Sequence, residues 1–376
     1  VRLQTWTLRL PWSIVVFAAA LVALGLLGIA RADALAGGSG RHFYRQLFWT
    51  LPGAGAMFAA STVNYRVLAR WSYAAFFLSI ALLLAVFWCP PINGAHRWIR
   101  LGAIGMQPSE FAKLAFVLGL ARYLMHRDSY RRLDGLLLPV ALAMVPLVLV
   151  LKEPDLGTAL VFLPLLFAML FAAGARRWHL ALAAMTALAV LPLLWSQMSR
   201  EQKSRVTALA EQTKPGQRPT DDGYHLHQAK QLLALGGWTG SVAAGGITYD
   251  AAPISVPEPH TDSIAAVLGE RFGIAGWFVL LGMFLALAWR CLAVAQTTRE
   301  PFGRLVATGV AALLATQALV NTAMLVGLLP ITGLALPLVS YGGSSLLANS
   351  LALGLVLNIG LRPGYEVTNE PFRFAT

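Results

Sequence analysis

Charge is what this chain has least of. Only 12% of its 376 residues are charged, whereas 57% are hydrophobic. A soluble domain carries about 25% charged residues, so a surface made wholly for water is excluded. Acidic residues are scarcer still, 17 against 29 Lys and Arg, which leaves a net charge of +12. That excess is not gathered on a soluble basic face, so nucleic acid is not an expected partner. Cysteine is nearly absent: Cys89 and Cys291 are the two present, and they support neither a disulfide framework nor a zinc-ligand set. Soluble repeats and low-complexity linkers are also missing.

What fills the chain is long apolar blocks. A bilayer core of about 30 Å takes roughly 20 apolar residues in a helix, and helices satisfy their own backbone groups in lipid. Ten blocks fit, at about 11–30, 46–63, 71–89, 109–125, 135–151, 156–174, 178–197, 262–290, 303–329 and 341–361. The expected fold is therefore all-α, a polytopic membrane protein with about ten transmembrane helices. One membrane domain spans 1–376, with a large extracytoplasmic loop at 198–262 between helices 7 and 8. The run Arg122, Arg127, Asp128, Arg131, Arg132 and Asp134 cannot lie in hydrocarbon cheaply, which forces a hairpin between the fourth and fifth blocks. The first block lacks a small-residue cleavage site and is expected to stay as a helix.

The positive-inside rule sets the orientation. With the N-terminus inside, fifteen Lys and Arg fall on the cytoplasmic side and seven on short outer segments. Long loops barely count. Both termini are thus expected in the cytoplasm, in a cytoplasmic (inner) membrane, with the excess positive charge facing anionic membrane lipids.

Polar residues beside membrane helices are expensive, so each cluster carries a functional hypothesis. All four are expected on the outer face. In the first, Arg97 and Arg100 flank Trp98: either an interfacial anchor on lipid head groups or a pair of guanidiniums for a phosphate. Gln107, Pro108 and Ser109 precede a helix start, after which Glu110 and Lys113 share a face at i and i+3, as a self-compensating pair or as the wall of a polar cavity. The second cluster is Lys152, Glu153, Pro154 and Asp155, where Asp155 suits an N-cap. The third closes the long loop with Glu258, His260, Thr261 and Asp262, followed by Glu270 and Arg271. Asp262 or Thr261 is the expected cap there. Loops this long are usually functional or disordered, and part of this one is expected to fold against the membrane. His225 and His227 alone do not make a metal site. The fourth, residues 330–345, is Pro- and Gly-rich, carries no ionisable group, and suits architecture more than chemistry.

These clusters, in this order, resemble the SEDS family, which includes the RodA and FtsW branches. The matching stretches are "NGAHRWIRLG…MQPSEFAKL", "EPDLGTA", "GYHLHQAK", "PEPHTDSIAAVLGE" and "LPITGLALPLVSYGGSS". Tyr224-His225 within "GYH" is more similar to RodA, whereas "LLANSLALGLVLNI" is more similar to FtsW. The sequence departs from the family at Ser263, where Phe is usual, at Glu270-Arg271-Phe272, and in the stretch before the third motif.

The resemblance implies a peptidoglycan glycosyltransferase that polymerises lipid II at the outer membrane face during elongation, releasing undecaprenyl pyrophosphate. Its partner would be a class B penicillin-binding protein acting as transpeptidase. By position, Asp262 matches the essential acid of the "HTD" motif, and Trp98 and Glu110 match functional residues. An α-linked donor and β-linked product require inversion, with Asp262 as general base for the acceptor hydroxyl. Arg97, Arg100 and Lys113, or a divalent cation such as Mg or Mn held between acids, would meet the pyrophosphate. Glu110 and Asp155 would orient those cations, while Gln107, His260 and Glu270 complete the expected substrate-binding set. The rivals are a flippase or transporter for the same lipid, the division-type polymerase, and a scaffold that only recruits partners.

Overall fold

The computed structural model describes residues 10–37, 40–63, 65–91, 95–102, 104–126, 134–198, 200–211, 222–243 and 258–362. Arg127, Asp128, Arg131 and Arg132 of the expected hairpin, and Tyr249 of the long loop, lie outside them.

Helices dominate. In chain order they are α1 (Trp12–Leu35), α2 (Arg41–Thr62), α3 (Tyr65–Ala85), α4 (Pro108–Leu124), α5 (Leu137–Lys152), α6 (Leu156–Ala173) and α7 (Arg177–Gln197). Then follow α8 (Arg200–Glu211), α9 (Asp222–Gly236), α10 (Gly240–Ala243), α11 (Ile264–Thr297), α12 (Pro301–Val326) and α13 (Gly343–Leu361). Among the described residues, six helical stretches are long and apolar enough to cross a bilayer, within α1, Val67–Trp88, α6, α11, α12 and α13. The surface is apolar as well as the core. Leu51, Phe58, Phe77 and Phe278 are all more than 60% exposed, which water would penalise and lipid does not. Trp12, Trp88 and Trp178 are exposed at helix ends, where the amphipathic indole suits a membrane interface.

The all-α expectation needs one addition. Ile99–Leu101 (β1) and Ile104–Met106 (β2) pair antiparallel, Ile99 opposite Met106. The hairpin lies between α3 and α4, with Gly102 left-handed at its tip.

Several helices begin earlier or end later than hydropathy alone indicates. α1 runs on through Arg31 and Asp33 to Leu35, and α2 starts at Arg41 rather than 46. Hydropathy loses such turns because they carry charge, yet Arg31 and Asp33 are paired inside the protein. α4 is buried on every side, from Pro108 through Leu124 with only Phe111 and Arg122 partly open, although it carries Glu110 and Lys113. It packs against α3, α6 and α12, while α13 lies along α2 and α1 lies along α11.

α11 is not one continuous rod. Gly273 has φ 69° and ψ −173° inside it, a region open essentially to glycine alone. The turn between α9 and α10 enters this break: Gly237 O accepts from Ile274 N at 2.9 Å, and Trp238 O from Ala275 N at 3.3 Å. Backbone groups released by the kink are thereby satisfied from outside. In the loop expected at 198–262, α8, α9 and α10 are helical, and α9 and α10 pack on α11.

Candidate active site

Asp262 stands in the turn ahead of α11. The residue capping that helix is Ser263, and no side-chain capping bond is made. The expected N-cap role for Asp262 or Thr261 is therefore replaced: the chain turns one residue later, and the Asp262 carboxylate is left for other work. It is buried, at 7% exposure. Burial pushes its pKa above the ordinary carboxylate value and Glu258 adds to the rise, while His225 and Arg205 pull the other way. A carboxyl raised in this way is a stronger base when ionised.

The backbone of this turn is clamped. Asn321 Nδ2 on α12 donates to Asp262 O at 2.9 Å and to Leu334 O at 2.7 Å. Ser340 Oγ donates to Thr261 O at 2.5 Å and accepts from Leu336 N at 2.7 Å. Tyr341 N donates to His260 O at 2.8 Å. Gln46 on α2 holds the far end, donating to Ser340 O at 3.2 Å and accepting from Gly342 N at 3.1 Å. The stretch at 330–345 is thus a brace held by side chains that bond to backbone groups, in line with the architectural role expected from its composition.

The same brace reaches the other clusters. A Cβ on Gly157 would lie 2.7 Å from Thr332 O, so only glycine lets the start of α6 approach so closely. Gly333 presents its Cβ direction to both Arg205 and the Asp262 carboxylate, each at 3.9 Å. Ser344 Oγ donates to Gly105 O at 3.1 Å and accepts from Gln107 N at 3.2 Å. Asp155 caps α6 as expected, with Oδ1 accepting from Thr158 N at 3.1 Å, while its Oδ2 accepts from Gln107 Nε2 at 3.4 Å. The "HTD" turn, the hairpin and the start of α6 therefore share one end of the bundle.

The expected binding residues divide. Lys113 Nζ and Glu110 Oε1 form a buried pair at 2.8 Å, and Glu110 Oε2 and Ser109 Oγ have no hydrogen-bond partner among the described residues. A buried polar atom left open costs free energy unless a ligand or water satisfies it, so this pair fits a polar wall. Arg97 is committed elsewhere: Nε donates to Glu153 O at 2.9 Å and Nη2 to Pro154 O. It ties the hairpin to the α5–α6 turn rather than standing open beside Arg100, which is exposed. Trp98 is half-buried over Gly105. Glu270 has both oxygens on Arg31, at 2.8 and 3.1 Å, a buried fork that fastens α1 to α11. Glu153 is fully buried with neither oxygen hydrogen-bonded among the described residues; burial, helped by Asp155 and opposed by Arg97, pushes its pKa to about 8.

Arg205, Asp33 and His42 are neighbours of the site that do not stand out in the sequence, whereas His225 lies in the "GYH" stretch. Arg205 on α8 and His225 on α9 act on Asp262, and His225 Nε2 lies 2.8 Å from Ser263 Oγ. The departure from Phe at 263 thus supplies a polar contact. Asp33 on α1 receives His42 Nδ1 at 2.8 Å and His260 Nε2 at 2.9 Å on one oxygen. Burial pushes the His260 pKa below its ordinary value. No motif marks Asp33 or His42: they pair with each other nine residues apart, but the third member, His260, comes from a distant part of the chain. Among the described residues, neither Glu110 nor Asp155 belongs to a group of three convergent metal-ligating side chains.

Comparison with known proteins covers nearly the whole chain. Residues 11–362 match the family described as cell cycle protein, represented by FtsW, RodA and SpoVE. A probable peptidoglycan glycosyltransferase FtsW of Trichlorobacter lovleyi is 36% identical over 354 residues, covering 90% of each chain. The corresponding protein of Coxiella burnetii is 34% identical over 377 residues, 96% of this chain and 98% of its own. Among solved structures, a chain of a peptidoglycan synthase complex, described as coordinating polymerization and crosslinking, superimposes with a TM-score of 0.78 at 33% identity, over 93% of this chain and 97% of that one. The crystal structure of Thermus thermophilus rod shape determining protein RodA gives 0.70 at 30% identity, over 94% and 97%. The chain is a multi-pass membrane protein that belongs to the FtsW/RodA/SpoVE family, the SEDS family its motifs resemble.

Proposed function

We propose that this chain is a peptidoglycan glycosyltransferase that polymerises lipid II at the outer face of the cytoplasmic membrane, with Asp262 as general base. The observation that carries the reading is the Asp262 carboxylate itself: buried, released from capping, raised by its surroundings, and held on a backbone braced from α2, α12 and the 330–345 stretch. The names borne by the relatives support the same chemistry.

In the reaction, the acceptor sugar hydroxyl attacks the donor's anomeric carbon from the face opposite the pyrophosphate. Asp262 takes the hydroxyl proton as the new glycosidic bond forms. Undecaprenyl pyrophosphate leaves with the electron pair of the broken bond, and the anomeric centre inverts. Lys113, braced by Glu110, and Arg100 on the hairpin supply positive charge toward the leaving group. Arg97, Gln107 and Asp155 hold the wall on which those groups stand, with Trp98 at the lipid interface, and Glu270 with Arg31 keeps α11 in place.

The ten-crossing arrangement with both termini in the cytoplasm is part of this reading, with the four clusters outside. A flippase would need a polar route through the opposite half of the bundle. Buried Asp33, Glu110, Lys113, Glu153, Asp155, Asp262 and Glu270 instead lie in turns or within about two turns of a helix end, and Glu300 at the start of α12 is consumed as a cap. A class B penicillin-binding protein is the proposed partner, consistent with the synthase complex among the structural relatives. His225 in "GYH" favours the elongation branch, whereas the FtsW names of the relatives favour division. Rescue of cell shape or of septation in depleted cells distinguishes them.

The test is polymerisation of labelled lipid II by the purified chain, with and without a class B partner. Glycan strands that require this chain support the proposal; lipid II translocation across vesicles without polymerisation sinks it.

A further inference from the structure

Asp33, His42 and His260 form a second constellation, separate from the proposed transfer chemistry. One ligand atom from each (a carboxylate oxygen and two imidazole nitrogens) lies within 4.8 Å of the other two. The three side chains come from the last turns of α1, the first turn of α2 and the turn carrying Asp262. We propose that they form a binding site for a divalent first-row transition ion of the Zn²⁺ type.

The donor set is two imidazoles and one carboxylate, a combination that binds zinc and similar ions while leaving a coordination position open. Mg²⁺ demands oxygen ligands in octahedral geometry and is disfavoured here. The spacing is close to what such an ion needs. Bonds of about 2.0–2.1 Å in a tetrahedron place ligand atoms about 3.3 Å apart. Both histidine nitrogens now lie 2.8 and 2.9 Å from Asp33 Oδ1, so the trio opens by a few tenths of an ångström to admit the ion.

The carboxylate is already oriented. Asp33 Oδ2 accepts from Phe43 N at 3.1 Å, the kind of outer contact that fixes a metal-ligating group. The rings are placed as well: His42 lies 4.1 Å from His260, centroid to centroid, and 5.1 Å edge-on from Tyr341. Access exists from one side, since the His42 side chain is 43% exposed, against 6% for Asp33 and 12% for His260. An ion here would join α1 and α2 to the turn two residues before Asp262. The competing account is a carboxylate that simply accepts two imidazole N–H groups, and it gives the same distances without any ion.

The two accounts separate in a titration of the purified full chain, affinity tag removed, with Co²⁺ followed by its visible absorption and displaced by Zn²⁺. One saturable equivalent is expected, weakened at least 100-fold in His42→Ala and in Asp33→Asn and little displaced by millimolar Mg²⁺. Zn²⁺ should also raise the melting temperature of the wild type and leave that of His42→Ala unmoved. His42 is partly exposed, so its replacement spares the fold, and ions held elsewhere persist in the variant. Absence of saturable binding, equal binding by His42→Ala, or displacement by Mg²⁺ as effective as by Zn²⁺ overturns the assignment.

Discussion

At the scale of single residues, position relative to a helix start separates scaffold from chemistry. Asp155 and Asp262 both stand at the head of a helix after a proline-containing turn, and local sequence treats them alike. Asp155 spends one oxygen on Thr158 N, while Asp262 makes no capping bond because Ser263 takes the cap position. Glu153 illustrates the cost of burial without partners. Folded, it holds its proton up to about pH 8; unfolded, it releases it near the ordinary value of 4.5. The folded chain therefore binds the extra proton between these limits, and stability falls as pH rises from about 4.5 to 8, by up to about 1.4 kcal/mol per pH unit. Glu153→Gln should remove that part of the slope and raise the melting temperature at pH 8 relative to wild type. An unchanged profile would show that Glu153 is ionised in the fold.

At the scale of elements, the break in α11 and the brace at 330–345 set the geometry of the site. Gly273→Ala meets two obstacles: a backbone conformation reserved for glycine, and the Trp238 carbonyl oxygen 2.4 Å from the new Cβ. A loss of about 1–3 kcal/mol from the conformation alone is expected, read as a lower melting temperature. The Arg31–Glu270 fork is buried on its acid side, and Glu270→Ala should destabilise the chain by about 3–5 kcal/mol. Polymerisation by the folded fraction should survive, because Glu270 holds α11 rather than substrate. These features differ in how well the sequence announces them. Gly and Pro in 330–345 advertise a turn, and its freedom from charge advertises architecture. The break at Gly273 is hidden, since an apolar run with one glycine looks like an unbroken helix. Its cause lies in Gly237 and Trp238, more than thirty positions away. Asp33 and His42 were equally hidden, because nothing local signals a partner at position 260.

At the scale of the whole molecule, scarcity of charge foretold a membrane protein, and the exposed Leu, Phe and Trp side chains show the same preference in three dimensions. Hydropathy places the middles of the helices well and their ends poorly, since charged end turns such as Arg31–Asp33 are paired inside the bundle. The proposed sidedness is open to direct labelling. In cells, Arg100→Cys on the exposed hairpin should react with an impermeant maleimide, whereas Arg176→Cys ahead of α7 should react only after permeabilisation; the reverse pattern would invert the topology. On the proposed sidedness, Asp262 lies on the face where the proposed lipid-linked donor and acceptor would meet. The most direct measurement is the rate of lipid II polymerisation by folded Asp262→Asn in complex with a class B penicillin-binding protein. A fall of about 10²–10⁴-fold is expected for loss of a general base, with an unchanged melting temperature; a rate within twofold of wild type would contradict the assignment.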